Sequence, residues 1–223
     1  EGGIESTDSD AYYQGEVNFY RHYFPLVERE IEGARRLLDV GCGTGRLLEL
    51  LSKRRGLACE GIELNAARAE LASKRASCPV HRIPVEQFAA SEKYDIITFI
   101  NVLSHIPWFD PVYGTIRSLL AEGGRFIMKT GELEPDVRRD GIYDWAIPVH
   151  VHFLGIETAE YIARKYGMRI IRHIRVPMAD ELYSPDRMKS PGPSSFRNRI
   201  KSMVARFPFI LSLARRWYTM RHG

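Results

Sequence analysis

The chain has 223 residues, of which 44% are hydrophobic, 27% charged and 11% aromatic, a composition typical of a globular protein with a sizeable core. No apolar run reaches the roughly 20 residues that a membrane-spanning helix requires, and no internal repeat is evident. The formal net charge of +4 is uneven, because residues 187–223 hold nine Lys or Arg and no acidic residue. The rest of the chain is therefore mildly acidic.

The cysteines and the first ten residues of the sequence indicate the cellular compartment. The three cysteines, Cys42, Cys59 and Cys78, are an odd number without C-x-x-C spacing. This favours reduced, structural thiols over a disulfide framework or a zinc site. The stretch EGGIESTDSD is polar and acidic, unlike a secretory signal peptide. Together these features predict a cytoplasmic protein.

Strands and helices alternate after an N-terminal aromatic helix predicted at 11–31. Apolar runs predict strands at 37–40, 58–64, 80–84, 94–101, 125–130 and 168–176. Periodicity and capping residues predict helices at 46–55, 66–76 after Asn65, 110–122 before a glycine pair, and 157–166. This order predicts an α/β fold: a Rossmann-like, doubly wound, mostly parallel sheet with helices on both faces.

The predicted organisation has three parts: an N-terminal helical segment at 1–34, a main domain at 35–186 and a basic extension at 187–223. The 26 residues between the fifth strand and the next helix are long for a connection, which indicates a lid or a substrate loop. Open α/β sheets bind ligands at the carboxyl ends of their strands. The glycine loop at 41–45, Glu63, Asn101 and Glu132 all fall there.

The glycine loop GCGTG carries glycines at 41, 43 and 45, one residue shorter than the G-x-G-x-x-G of NAD-binding proteins. Asp39 lies two residues before the loop, where it would repel a pyrophosphate but could accept a hydrogen bond from an ammonium group or bound water. Glu63, 18 residues after Gly45, is placed to bind both hydroxyls of a ribose. These residues predict a nucleoside ligand with a cationic, amino-acid-like arm and no phosphate.

This stretch resembles the first motif, D-x-G-x-G-x-G, of the class I S-adenosylmethionine (SAM)-dependent methyltransferases, which Asp39, Gly41, Gly43 and Gly45 match. GIEL at 61–64, YDIITFINVLSHI at 94–106 and LLAEGGRFIM at 119–128 resemble further motifs of that family in the same order. The resemblance implies SAM as cofactor, S-adenosylhomocysteine (SAH) as product, a methionine arm held by the first motif, and a ribose held by Glu63. The remaining cofactor residues that it implies are Cys42, Leu64, Val85, Glu86 and Asn101.

One position departs from the family pattern. Many members carry an Asp after the third strand that meets the adenine amino group, whereas this chain has Pro84. The backbone amide of Val85 or the side chain of Glu86 could take that place.

The residues after the fourth strand bear on the acceptor. Methylases of base amino groups and of glutamine commonly carry [DNS]-P-P-[YFW] there, whereas NVLS at 101–104 has no proline, which disfavours that branch. His105 follows; its imidazole could remove a hydroxyl proton at neutral pH, or it could merely cap the next helix.

VHVHF at 149–153 places His150 and His152 on one side of an extended segment. Two His at this spacing could bind a metal, but no third ligand is identifiable, so no metal is predicted. They are either active-site residues or a surface or core pair. The segment PVHVHFLGIETAEYIARKYG also resembles the P-x-H-x-x-F…T…L-x-x-x-x-G stretch of a methyltransferase group that includes ubiquinone-pathway and sugar O-methylating enzymes, which favours an active-site role.

Aromatic residues near the predicted site leave alternatives open. Tyr12, Tyr13, Tyr20 and Tyr23 could close over the cofactor or simply pack an amphipathic helix. The two tryptophans that flank the site could stack on a flat acceptor or a sugar; they are Trp108 and Trp145.

Beyond the SPGPSS linker, the basic extension reads as one or two amphipathic helices with Arg clusters. It either lies on an anionic membrane, at the inner face, or docks on the main domain with a solvated basic face. A basic segment alone is weak evidence for nucleic-acid binding, so nucleic acid is disfavoured as a partner.

The sequence therefore predicts a methyltransferase that transfers the methyl group of SAM to a hydroxyl of a small-molecule or lipid-linked acceptor, a quinone precursor or a sugar, with His105 as the base. N-methylation of a small amine, RNA methylation and a non-catalytic SAM-binding scaffold are the alternatives. Because function lies in the site rather than the fold, the acceptor stays open at this point.

Overall fold

The computed structural model describes residues 9–131 and 154–175. Within these residues the chain forms five α-helices: α1 Ser9–Glu30, α2 Arg46–Leu51, α3 Ala66–Ala76, α4 Phe109–Leu119 and α5 Ile156–Lys165. The five strands are β1 Arg36–Val40, β2 Ala58–Ile62, β3 Val80–His81, β4 Tyr94–Ile100 and β5 Leu120–Lys129. Short 3-10 helices lie at Val85–Gln87 and Leu103–His105.

The described strands form one parallel sheet in the order β3-β2-β1-β4-β5. The chain moves outward from β1 to β3, then returns to place β4 on the other side of β1. This reversal opens a crevice at the carboxyl ends of β1 and β4, where open α/β sheets bind their ligands. The predicted α/β fold with a doubly wound parallel sheet is confirmed.

Helices cover both faces of the sheet. On one face, α1, α2 and α3 share a core with the strands; its buried members include Tyr20, Val27, Leu37, Leu48, Ala72 and Ile96. The opposite core joins α4 and α5 to the sheet; its buried members include Leu38, Ile97, Phe99, Tyr113, Ile116 and Ile162. Alternate residues of β1 and β4 enter opposite cores, as expected for strands that are covered on both sides.

Several predicted boundaries shift. The fifth strand begins at Leu120 and not at residue 125, because Leu120 already pairs with Tyr94 before the glycine pair bulges out and the ladder resumes at Arg125 and Ile96. Helix α2 ends at Leu51, its last buried leucine, and residues 52–56 turn away instead of extending it to residue 55. The predicted N-cap of α3 is confirmed: Asn65 accepts a hydrogen bond from the Arg68 amide at 3.0 Å.

The predicted helix at 157–166 is confirmed as α5, but residues 168–175 are not a strand in the described part of the chain. There the chain leaves α5 in a turn in which the Met168 amide donates to the Ala163 carbonyl at 2.7 Å. The chain divides into two compact units, residues 1–170 and 171–223, and all the elements above belong to the first. Among the described residues, no helix is both long and apolar enough to cross a bilayer.

Candidate active site

The glycine loop follows β1 directly and is fixed by its own backbone. The amides of Gly41 and Cys42 both donate to the carbonyl oxygen of Ile62, at 2.8 and 3.0 Å, and the Gly45 amide donates to the Cys42 carbonyl at 2.9 Å. Gly41, Gly43 and Gly45 have φ values of 71°, 58° and 86°. Glycine adopts this left-handed region without the steric cost that a Cβ would add. The sequence therefore folds here into a tight turn anchored to β2.

Two of these glycines are also required for packing. A Cβ on Gly41 would lie 2.4 Å from Cγ2 of Val102, and a Cβ on Gly45 would lie 2.6 Å from Cα of Ala72 in α3. The glycine pattern thus brings the post-β4 loop and α3 against the turn, in addition to the cofactor role that the motif predicts.

Glu63 ties the loop to the end of β2. Its Oε2 accepts a hydrogen bond from the Gly43 amide at 3.0 Å, and its Oε1 accepts one from the Asn65 amide at 2.9 Å. These bonds fix the carboxylate beside the glycine loop, at the carboxyl end of β2. Each carboxylate oxygen has two lone pairs, so both oxygens can still accept a bond from a ribose hydroxyl.

Asp39 lies beneath the loop and is almost fully buried, with 1% of its surface exposed. Its Oδ1 accepts a hydrogen bond from the Thr98 hydroxyl at 2.7 Å, while its Oδ2 is buried without a partner in the described part of the chain. Burial raises the pKa of Asp39 to about 7, although the Thr98 bond acts in the opposite direction. The negative charges of Glu16 and Glu63 raise this pKa further.

Glu16, on α1, is a site residue that the sequence analysis missed. Its Oε1 accepts a hydrogen bond from the Thr44 amide at 3.1 Å, and its Oε2 accepts one from the Thr44 hydroxyl. Burial raises the pKa of Glu16, while the bonds from Thr44 oppose that rise. No local pattern identifies this residue, because its partner lies 28 positions further along the chain.

These contacts determine which ligand charge the loop accepts. All five amides of 41–45 donate within the protein, and two of them, at residues 43 and 44, donate to carboxylates. Phosphate-binding glycine loops instead direct their amides at the ligand. Three carboxylates at one loop favour a cation and disfavour a pyrophosphate. The geometry therefore agrees with the cationic amino-acid arm of SAM, which Asp39 and the loop would hold.

Tyr13, on α1, contacts the two helices that lie beside the loop, α2 and α3. Its hydroxyl donates to Oε2 of Glu49 at 2.7 Å, and the guanidinium of Arg75 lies 3.7 Å from its ring centre. Tyr20 and Tyr23 are buried in the core. Of the predicted alternatives for these tyrosines, packing applies to Tyr20 and Tyr23, whereas closure of Tyr13 over the cofactor stays a prediction. The side chain of Tyr12 lies outside the described residues.

The residues predicted for the nucleoside lie beyond Glu63. Leu64 is 62% exposed, which leaves an apolar surface next to Glu63 in the chain. Val85 is buried, and Glu86 on the same 3-10 helix is exposed. The backbone of Pro84 is extended and begins this helix. Contacts with adenine stay predictions for Leu64, Val85 and Glu86.

On the other side of the crevice, Asn101 and His105 follow β4. Asn101 has a left-handed φ of 58° and an exposed side chain, and its amide donates to the carbonyl oxygen of Lys129 at 2.9 Å. His105 ends the 3-10 helix after β4, is exposed, and donates its amide to the Val102 carbonyl at 2.9 Å. Trp108, three residues on, is 74% exposed. The base role of His105 and the stacking role of Trp108 stay predictions.

Four predicted residues lie outside the described part of the chain: Glu132, Trp145, His150 and His152. The cysteines are free thiols, as predicted; Cys42 and Cys59 are buried and Cys78 is partly buried. Burial raises the pKa of the Cys42 thiol, which fits a neutral packing residue within the loop better than a nucleophile.

Known proteins resemble this chain over the same region. Ubiquinone biosynthesis O-methyltransferase of Psychrobacter arcticus is 33% identical over 110 residues, which are 45% of this chain and 42% of that enzyme. The chain thus spans less than half the length of this relative and of its counterparts from Acinetobacter baylyi and Aeromonas salmonicida.

Two solved structures share the fold. StiE O-MT superposes with a TM-score of 0.58 at 15% identity, covering 86% of this chain and 72% of that one. N-methyltransferase NodS from Bradyrhizobium japonicum, solved with SAH, superposes with a TM-score of 0.50 at 19% identity, covering 65% and 72%. A family model described as a methyltransferase domain matches residues 13–173. This match covers more than half of the chain, which therefore belongs to the methyltransferase domain family, in the class I SAM-dependent group that its motifs resemble.

Proposed function

We propose that the protein transfers the methyl group of SAM to a hydroxyl oxygen of a small-molecule or lipid-linked acceptor. The observation that carries the proposal is the convergence of Asp39, Glu63 and Glu16 on a glycine loop whose amides are all engaged within the protein. Such a loop selects a nucleoside with a cationic arm. When bound there, SAM supplies an electrophilic methyl group on a positively charged sulfur.

The chain's own residues have three tasks in this reaction. Asp39 and the loop bind the methionine arm, Glu63 binds the ribose hydroxyls, and the β4–α4 segment faces the acceptor. His105 would accept the acceptor's hydroxyl proton on an imidazole nitrogen, so that the oxygen can take the methyl group as the methyl–sulfur bond breaks and SAH is left. Because methyl transfer is an in-line displacement, positioning contributes most, and well-oriented reactants lower the barrier by ~7–11 kcal/mol. General-base catalysis adds ~10²–10⁴-fold.

Calorimetric titration with SAM, SAH and NAD tests the cofactor assignment. We expect micromolar binding of SAM and SAH, and no binding of NAD. Glu63→Gln should weaken SAH binding at least tenfold, because a neutral amide no longer accepts from both ribose hydroxyls. Glu60→Gln is the matched control, since Glu60 on β2 contacts Arg36 and His81 instead of the loop. NAD binding, or no effect of Glu63→Gln, would contradict the assignment.

The base assignment requires an acceptor assay with phenols and sugar nucleotides. His105→Ala should reduce kcat by ~10²–10⁴-fold while the Kd of SAH stays constant. His81→Ala serves as the control, because His81 lies on β3 against Glu60. Unchanged turnover in His105→Ala would remove the base from the mechanism and favour an amine acceptor, which needs no strong base.

The basic extension at 187–223 supports a lipid-linked acceptor at the inner face of a membrane. Its nine Lys or Arg without an acidic residue would attract anionic lipids by ~1 kcal/mol for each cation near the surface. Binding of the full chain to vesicles with 30% anionic lipid should be lost when residues 190–223 are removed and should fall with salt. Vesicle binding that survives the deletion would refute this membrane role.

A further inference from the structure

The carboxamide of Asn101 has a fixed orientation at the carboxyl end of the sheet. Lys129, the last residue of β5, donates a hydrogen bond from its Nζ to Oδ1 of Asn101 at 2.8 Å. An ammonium group can only donate, so the carboxamide must turn its oxygen, and not its nitrogen, toward Lys129. The two N–H groups of Nδ2 meet no acceptor in the described part of the chain, and the side chain is exposed. The group that Asn101 offers to a ligand is therefore a donor.

Both the anchor of this carboxamide and its backbone are held. The Nζ of Lys129 lies 5.1 and 5.2 Å from the ring centres of Phe19 and Tyr23, which stack on α1 and attract the ammonium. The Asn101 amide donates to the Lys129 carbonyl at 2.9 Å. Its φ of 58° is a conformation that asparagine adopts more readily than most residues. The chain thus holds Nδ2 in place before a ligand binds.

Asn101 lies between the cofactor loop and the acceptor side of the crevice. It follows β4, which pairs with β1 on one side and with β5 on the other. The next residue, Val102, packs against the glycine loop, since its Cγ2 would lie 2.4 Å from a Cβ on Gly41. His105, the proposed base, ends the 3-10 helix that begins at Leu103. The donor, the loop and the proposed base thus lie at one end of the sheet.

The number of lone pairs on the acceptor atom decides whether it can use this donor. A hydroxyl oxygen has two, so one can attack the methyl group while the other accepts a hydrogen bond from Nδ2. The nitrogen of a neutral amine has one, which the attack consumes, and its own N–H groups would then face those of Asn101. Two donors that face each other leave both without a partner, which costs affinity.

We propose that Asn101 is a specificity-determining residue that selects hydroxyl acceptors and disfavours amines. This inference rests on the proposed hydroxyl methylation and names a residue that determines it. Nδ2 donates to one lone pair of the acceptor oxygen, and the other lone pair forms the C–O bond as the methyl–sulfur bond breaks. The electron pair of that bond passes to sulfur, which leaves SAH, and the hydroxyl proton goes to His105. Asn101 binds and orients the oxygen and exchanges no proton.

Binding to the full chain saturated with SAH tests the selection directly. Calorimetry compares catechol with 1,2-diaminobenzene, which has the same shape with amines in place of the hydroxyls. The wild type should bind catechol about tenfold more tightly, because the diamine leaves the Nδ2 donor unpaired. Asn101→Asp keeps the shape and the bond from Lys129 but presents an oxygen in place of Nδ2, so it should reverse the preference. Asn101→Gly, which tolerates the left-handed φ, should abolish it.

Methyl transfer to 2-aminophenol gives a second readout on a single molecule. This probe carries both groups, so the ratio of O-methyl to N-methyl product, measured by chromatography and mass spectrometry, does not depend on its overall affinity. The wild type should favour oxygen, and Asn101→Asp should lower the ratio about tenfold. Asn65→Asp is the matched control: Asn65 caps α3, where aspartate caps as well, so the ratio should stay unchanged.

Several results would overturn the inference: equal affinities of the two binding probes in the wild type, no binding of catechol at millimolar concentration, or a product ratio that Asn101→Asp leaves unchanged. Loss of SAH affinity as the sole effect of Asn101→Asp would overturn it too, since this residue would then serve the cofactor. Failure of the proposed function has a different signature. In that case SAH does not bind the full chain, or no methyl group reaches oxygen although the Asn101-dependent preference for catechol is present in binding.

Discussion

Replacing Asp39 with asparagine should stabilise the cofactor-free protein at alkaline pH, and this gain should disappear at acidic pH. Asp39 has 1% of its surface exposed, and its Oδ2 has no partner among the described residues. Its pKa rises from 3.8 to about 7, chiefly through burial. An acid whose pKa is raised by folding holds its proton in the native state after the unfolded state has released it. Stability is therefore lost as the pH rises from about 4 to about 7.

The magnitude follows from that shift. At roughly 1.36 kcal/mol per pKa unit, the penalty on the wild type grows from about 1.5 kcal/mol at pH 5 to about 4 kcal/mol at pH 8. Asparagine does not titrate and can still accept the Thr98 hydrogen bond. Its Nδ2 replaces Oδ2 as a buried group without a partner in the described region, which costs ~1–3 kcal/mol at both pH values. The change in free energy of unfolding should thus be about 2.5 kcal/mol more favourable at pH 8 than at pH 5.

Urea unfolding of wild type and Asp39→Asn at both pH values, without cofactor, measures this difference, because groups that do not interact with Asp39 titrate equally in both proteins. Asp95→Asn is the control. Asp95 accepts hydrogen bonds from the amides of Arg35 and Arg36 at 2.8 and 3.0 Å, and these bonds lower its pKa. Because both test pH values lie above its unfolded pKa, Asp95→Asn should destabilise the protein equally at each. An Asp39→Asn effect that is the same at pH 5 and pH 8 would refute the reasoning.

Three further outcomes follow from the site. Gly45→Ala should lower the free energy of unfolding, measured by urea titration, by ~2–4 kcal/mol, because its Cβ would lie 2.6 Å from a backbone atom of α3. Gly56→Ala is the control: Gly56 has a similar φ of 84° but nothing within 4 Å of the added Cβ, so this variant should cost only ~1 kcal/mol. Glu16→Ala should speed amide hydrogen exchange in α1 and at the glycine loop, whereas Glu70→Ala, which removes an exposed ion pair with Lys74, should not. Equal exchange in both variants would show that Glu16 does not hold α1 to the loop. SAM affinity, measured by calorimetry, should weaken as the pH falls below about 7, because protonation of Asp39 removes a negative charge near the cation; an affinity that is constant from pH 6 to 8 would contradict this.

The parts of the site that the sequence predicted are those that local chain geometry specifies. The glycine spacing of 41–45 implies a tight left-handed turn, and Glu63 is recognisable because it ends a strand that parallel topology places beside that turn. The alternation of strands and helices similarly predicts that helices cover both faces of the sheet. In each of these cases the information lies within about twenty residues of chain.

Other features depend on contacts between distant segments. Glu16 contacts the loop across 28 positions, and Lys129 meets Asn101 across 28 positions in the opposite part of the chain. The early start of β5 at Leu120 depends on pairing with Tyr94, which periodicity within one segment does not reveal.

Three carboxylates lie close together at the glycine loop, which is an unfavourable arrangement of charge. Glu16 and Glu63 both repel a negative charge on Asp39, whose carboxyl is deprived of water by the same packing that buries Thr98. The apolar cores on both faces of the sheet hold these groups in place despite that repulsion. A cation relieves the repulsion and gains affinity from it, whereas a neutral ligand gains nothing. We therefore expect the cofactor's charge, more than its shape, to decide what this loop binds.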